Sequence, residues 1–212
     1  MIVRILLLIS LFVNYQVYSQ LADCFIPKDS ILLFKELFGK NKVIPSELET
    51  PILYALSFFP ELSEAHIQFK QKKIKTTMNA RPTFGSMLFR KSSNYSYVVR
   101  INTRQIDSVI QVKDIPVNAL VGVFGHEFCH FIDYHIHKKK HLVKRAFDYG
   151  SKKRKASFEK EIDRMTISRG LGCYLYKWSS FVLFESNAKA SYKSFKQTTY
   201  LQPHEILEFM PQ

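Results

Sequence analysis

The chain is poor in cysteine, in acidic side chains and in repetition, and each shortage removes a class of protein. Cys24, Cys129 and Cys173 are the only cysteines among 212 residues. Three is an odd number, so no dense disulfide framework organises the fold. At most one bridge forms. Cys24 with Cys173 is the expected pair, which leaves Cys129 as a buried thiol. No internal repeat and no low-complexity tract occurs, which argues against a solenoid and against a disordered chain. One marked apolar run stands near the start, at residues 5–13, broken only by Ser10. It is too short to span about 30 Å of hydrocarbon. Acidic residues number 18 against 31 Lys and Arg, for a formal charge of +13. Such a balance favours anionic surroundings.

Arg4, the apolar run and the polar residues 14–19 have the layout of a secretory signal peptide. Cleavage is expected after Ser19, with Val17 and Ser19 at the positions that favour small residues. Retention of the segment as an anchor is the alternative. Lipidation at Cys24 is disfavoured by Asp23 before it and by the distance from the apolar run. The expected organisation is therefore a signal peptide at 1–19 and one domain at 20–212, secreted or periplasmic. Hydrophobic residues at 46% suffice for a core. Export makes nucleic acid an unexpected partner. Residues 138–155 carry most of the concentrated basic charge. They read either as a solvated loop or as a docking segment for an anionic envelope surface.

Periodicity predicts a short helix at 31–38 and a second starting at Thr50-Pro51, with Ile52, Leu56 and Phe59 on its apolar face and Pro60 ending it. Ile67 and Phe69 alternate with polar neighbours, as do Tyr95, Tyr97, Val99 and Ile101, although Val98 breaks the polar side. Residues 77–89 offer room for another strand. A long helix follows at 114–137 and a further one at 157–169, stopped by Gly170 and Gly172. The tail has an aromatic-rich stretch at 174–184 and a last helix near Pro203. Helix, sheet, long helix, then more helices is an α+β order with a mostly helical C-terminal part.

The long helix carries His126-Glu127-Phe128-Cys129-His130, an H-E-x-x-H pattern. Residues four apart share a helix face, so two imidazoles converge on one ion while the intervening Glu stands beside it. With 7 His in 212 residues, chance gives this pattern roughly once in a hundred such chains. The context strengthens it. Ala119, Gly122, His126, His130, Asp133 and His137 form one stripe, and Val117, Leu120, Phe124, Phe128 and Phe131 form an apolar stripe opposite. Gly122 is expected to leave space beside the ion. Zn2+ suits imidazole nitrogen, and catalytic zinc keeps one position open for water. Glu127 is then placed to take a proton from that water.

A third ligand has to come from elsewhere. Glu159 is the best candidate and Glu161 the weaker one, because Glu159 and Asp163 are four apart on one face of their helix and Glu161 is not. Asp163 can accept a hydrogen bond from a ligand imidazole and fix its tautomer. Asp133 reads equally as a partner of the histidines or as a surface acid. His135, His137 and His141 read as a further metal cluster or, more simply, as a basic face. Tyr174 and Tyr176 are candidates to stabilise an oxyanion, with no spacing that selects either.

His126-Glu127-Phe128-Cys129-His130 followed by Glu159-x-x-x-Asp163 resembles the gluzincins, the thermolysin-like clan of zinc peptidases. The resemblance spans about residues 95–170. It implies His126, His130 and Glu159 as zinc ligands, Glu127 as general base and Asp163 as the orienting acid. It also implies a zincin-like fold, a small antiparallel or mixed sheet on an active-site helix, with the strand at 95–102 as the edge that holds a peptide substrate. Ser157 and Phe158 depart from the usual residues before the Glu, and Ile162 from the small residue frequent in membrane-associated relatives. The expected function is an exported zinc endopeptidase acting on polypeptide. A zinc amidase of cell-wall peptides, or an envelope-binding protein with a structural zinc, are the rival expectations.

Overall fold

Among the described residues, those up to Asn102 build a small sheet and short helices, and those after it form helices and the segments between them. In chain order these are α1 (Ile31–Phe38), β1 (Lys42–Val43), α2 (Glu49–Leu56), β2 (Ile67–Lys72), β3 (Met78–Pro82), α3 (Phe84–Phe89) and β4 (Tyr97–Asn102). There follow α4 (Val117–Ile136), α5 (Lys152–Thr166), α6 (Gly172–Ser180), α7 (Ala190–Thr199) and α8 (Pro203–Phe209). This computed structural model describes residues 24–91, 94–104, 110–137, 145 and 147–211. The expected signal peptide and residues 138–144 of the basic segment lie outside that set. The class is α+β, as expected. Among the described residues no helix is long and apolar enough to cross a membrane.

The sheet is mixed, in the order β1-β2-β4-β3, with β1, β2 and β4 parallel and β3 antiparallel to β4. This corrects the expected edge strand. Val99 of β4 pairs with Phe69 on one side and Ala80 on the other, so β4 is interior. Val98, which broke the alternation, is buried like Tyr97 and Val99, as in a strand covered on both faces. The edges are the two-residue β1 and β3, and β3 has an exposed Arg81 and a terminal Pro82 that suit an unpaired flank. Pro82 also stops the strand region early. Residues 84–89 then turn as α3, where a continuing strand was allowed for.

The central helix α4 is buried from residue 119 to residue 134. Toward the sheet it presents Phe124, Phe128 and Phe131. Phe124 and Phe128 meet Phe69 with ring centroids 6.0 and 6.3 Å apart, Phe128 meets Phe59 at 5.6 Å, and Phe131 stacks on Tyr97 at 4.3 Å. Each such ring, fully buried, contributes about 1.5–3 kcal/mol by transfer from water. The opposite flank is not open. There α6 packs along α4, and a Cβ on Gly122 would lie 2.1 Å from the Tyr174 carbonyl oxygen. Gly122 therefore permits a close helix–helix approach and does not leave room beside an ion, contrary to expectation.

The expected stop after α5 is half right. Gly170 adopts φ 84°, a left-handed conformation that glycine enters at little cost, and a wide turn at Ile167–Leu171 redirects the chain. Gly172, however, opens α6, and most of the aromatic-rich stretch is helix. The basic residues 152–155 form the first turn of α5, which starts earlier than expected. One disulfide joins Cys24 to Cys173 with Cα atoms 5.9 Å apart, a separation that a bridge spans. It ties the N-terminal lead-in to α6 and consumes the thiol that lipidation would need. Cys129 is fully buried, and burial pushes its thiol up to about 12.

Candidate metal centre

Two helices bring the motif residues together. His126 and His130 project from the flank of α4 that faces away from the sheet, and α5 crosses that flank with Phe158, Glu159, Ile162 and Asp163 buried. The same four-residue repeat in both helices makes this possible. Glu159 Oε2 lies 3.2 Å from His126 Nε2 and 3.5 Å from His130 Nε2. One ligand atom from each of the three residues falls within 4.8 Å of the others. A tetrahedral ion with bonds of about 2.0–2.2 Å holds its ligand atoms about 3.3–3.5 Å apart. The donor set of two imidazole nitrogens and one carboxylate oxygen fits a zinc-sized cation. Its identity is not fixed by the geometry, since imidazole and carboxylate serve several transition metals.

Asp163 occupies the position anticipated for it. Its Oδ1 lies 2.7 Å from His126 Nδ1, and its Oδ2 accepts a hydrogen bond from the Leu201 amide at 2.8 Å. Asp163 thus fixes the ring of His126 and joins it to the chain after α7. Among the described residues His130 has no equivalent, and its buried Nδ1 meets no hydrogen-bond partner there. Phe158 and Tyr134 instead pack on its ring.

Burial works against charge at this centre, and the hydrogen bonds overrule it. Burial alone would lower His126, but bonds to Asp163 and Glu159 lift its imidazole to about 10. Burial would raise Glu159, yet the two histidines hold its carboxyl well below the usual range. The carboxylates that favour an imidazolium at this point also favour a bound cation. Glu127, between the histidines in sequence, is raised by burial, and both imidazoles oppose that rise.

Glu127 and His126 line a cleft together with Thr76, Thr77 and Met78 at the head of β3, Val123, Trp178 of α6, Lys196 of α7 and Tyr200 just after it. Its 20 Å³ accommodate about one water. The helix α7 roofs it, since Tyr192 and Thr77 share a hydrogen bond of 2.9 Å across the cleft's edge. Tyr200 sits 5.5 Å from the His126 ring.

Other expectations resolve differently. Glu161 is more than half exposed and reaches Arg145 at 3.3 Å, far from the ligand cluster in role. Asp133 is neither a histidine partner on the ligand side nor a surface acid. Its carboxylate is buried under Arg145, which donates to both oxygens at 2.8 and 3.2 Å. The His137 ring bonds the Asp133 carbonyl oxygen at 2.7 Å, and His135 lines a separate polar cavity with Glu61 and Glu64. His141 is outside the described residues. The Tyr174 hydroxyl donates to the Phe25 carbonyl or the Tyr54 hydroxyl, and Tyr176 does not line the cleft. The sequence reading missed Tyr149, whose hydroxyl donates to Glu159 Oε1 at 2.9 Å. Its ten-residue separation from Glu159 crosses a turn and follows no helical period, so no spacing pointed to it. Lys196 and Tyr200 were missed because α7 itself was not foreseen.

No protein-family model matches this chain, and no curated protein or solved structure matches it.

Proposed function

We propose that the chain is an exported zinc endopeptidase that hydrolyses polypeptide with His126, His130 and Glu159 as metal ligands and Glu127 as general base. One observation carries this reading: the buried donor set has three members among the described residues and adjoins a cleft that Glu127 shares. Structural zinc is normally closed by four protein ligands, whereas catalytic zinc has three and an open position. Bound there, the ion would supply Lewis acidity to a carbonyl and acidity to water. Glu127 takes the proton from the attacking water and later delivers it to the departing amine. Asp163 keeps His126 in the tautomer that leaves Nε2 free, and Tyr149 holds the second oxygen of Glu159.

The gluzincin resemblance of H-E-x-x-H and E-x-x-x-D supports the same reading, as does the edge strand β3, whose head lines the cleft. An extended peptide adds to such an edge through main-chain hydrogen bonds. The test is a metal analysis of the purified protein combined with hydrolysis of unfolded polypeptide, before and after chelation and zinc restoration. About one zinc per chain and chelator-sensitive cleavage are expected. A protein that holds zinc but cleaves no peptide under any loading is not a peptidase.

A further inference from the structure

The short helix α3 is amphipathic in the opposite sense to a helix on a water-facing surface. Such a helix buries its apolar side and shows its polar side. In α3 the buried residue is Ser86, whose hydroxyl has the Thr83 and Ser96 carbonyl oxygens as acceptors at 2.9 and 3.1 Å. Outward stand Phe84, Leu88 and Phe89, which are 65%, 51% and 86% exposed. Phe84 and Leu88 are one helical turn apart, and Phe89 adjoins Leu88 at the end of the helix. A single exposed apolar side chain is ordinary on a protein surface. Three within one short helix that rests on a serine point to a contact outside the chain.

The charge around this helix is of one sign. Between Glu64 and Asp107 the sequence has nine Lys and Arg and no Asp or Glu. Arg81 precedes α3, and Arg90 and Lys91 follow it, all three exposed. The neighbouring strands continue the pattern. Lys70 of β2 lies opposite Arg100 of β4, and Arg81 of β3 lies opposite Val98, two residues from Arg100. The Arg100 guanidinium is held below its ordinary value by burial and then by the charge of Arg81. Among the described residues none of these cations forms an ion pair, and the nearest acids before them in sequence are committed elsewhere: Glu61 to Arg169 at 2.8 Å and Glu64 to Lys40 at 2.9 Å. An anionic partner relieves the mutual repulsion of such a group.

We infer that α3 and the basic residues around it form a docking surface for an anionic lipid bilayer, with Phe84, Leu88 and Phe89 in the headgroup layer and Arg81, Arg90 and Lys91 against the headgroup phosphates. An acidic polypeptide matches the charge but gives no reason for three apolar side chains among the cations. A bilayer interface matches both. Long basic side chains beside aromatic rings suit that boundary, because their stems lie along apolar surface while their charged ends reach the headgroups. The cleft is at the other end of the same strand. Met78 lines it, and Pro82, two residues before α3, is about 13 Å further along β3. Docking through α3 therefore keeps the metal centre near the membrane, and under the hydrolase reading it favours polypeptides at that surface as substrates. The docking surface itself does not depend on that reading.

The experiment sediments the full chain with vesicles of equal parts phosphatidylcholine and phosphatidylglycerol, and with vesicles of phosphatidylcholine alone. Binding to the anionic vesicles should be at least about tenfold tighter and should weaken as salt rises. Phe84→Ser combined with Phe89→Ser should lower it about tenfold or more at unchanged charge. Arg81→Gln with Arg90→Gln and Lys91→Gln should lower it at least as far, whereas Arg81→Lys with Arg90→Lys keeps the charge and should keep the binding. All these positions are exposed, so circular dichroism and zinc content should match those of the unaltered chain. Lys138→Gln with Lys139→Gln and Lys140→Gln removes the same charge from the other basic segment and should change the affinity less than about threefold. Absence of a preference for anionic vesicles, binding that survives both sets of α3 substitutions, or loss in the 138–140 set alone overturns the docking surface. Capture by polyglutamate as tight as by vesicles, and indifferent to the two Phe substitutions, assigns the charge to an acidic polypeptide and overturns it too. Vesicle binding that depends on α3 in a protein that never cleaves peptide upholds the surface and removes the hydrolase reading alone.

Discussion

The two flanks of α4 are both fully buried, yet they are built by opposite means. Toward the sheet, Phe124, Phe128 and Phe131 meet Phe59, Phe69 and Tyr97 ring against ring. Away from it, His126 and His130 meet Glu159 and Asp163 through polar contacts as short as 2.7 Å. An apolar flank tolerates substitution according to volume, because packing is cumulative and non-directional. A buried polar flank tolerates little, because each removed partner strands another group without water. One helix thus divides into a side that supplies stability and a side that consumes it. Burying two carboxylates and two imidazoles costs free energy that the aromatic flank must offset.

That division can be broken experimentally, beginning with the most severe change. Glu159→Ala removes the carboxylate shared by both histidines. Stoichiometric zinc binding and hydrolysis should both disappear, read by metal analysis and a peptide assay, while the circular dichroism of the folded chain persists. Phe128→Ala should do the reverse. It removes a ring with no exposed surface and should cost about 3–5 kcal/mol in denaturant unfolding, yet the folded fraction should still hold zinc. Asp163→Asn keeps the shape and the acceptor for Leu201 but weakens the hold on His126. Zinc affinity or turnover should fall roughly 10–100-fold in a competition titration. The smallest effect belongs to Glu161→Ala. That carboxylate is 56% exposed and Arg145 retains Asp133, so stability should shift within about 0.5 kcal/mol with zinc unchanged. Zinc lost from Glu161→Ala and kept in Glu159→Ala would reverse the assignment of the third ligand.

The same division explains what could be read from the sequence. Four-residue spacing is set by the helix itself, so His126, His130, Glu159 and Asp163 were legible as pairs before any tertiary contact was known, and the structure brings all four together. The pairing of Cys24 with Cys173 was expected but not fixed by three cysteines alone, and the structure forms it. The position of β4 was not legible, because strand order depends on long-range pairing that alternation does not encode. Nor was the role of Gly122, which depends on α6 arriving from fifty residues away. The helix α7 was invisible because its apolar positions face a polar cleft: Tyr192 bonds Thr77 and Lys196 lies among rings. Functional surfaces depart from binary patterning, and the roof over the cleft departs most.

The most direct measurement concerns Glu127, which neighbours the cluster of His126, His130 and Glu159 without belonging to it. Glu127→Gln is nearly the same size and cannot accept a proton at neutral pH. Metal content and peptide hydrolysis are measured on the same preparation. The expected result is about one zinc per chain, as in the unaltered protein, with hydrolysis reduced at least about 100-fold. Full hydrolysis by Glu127→Gln, or loss of its zinc, contradicts the assignment of Glu127 as the base of a three-ligand metal site.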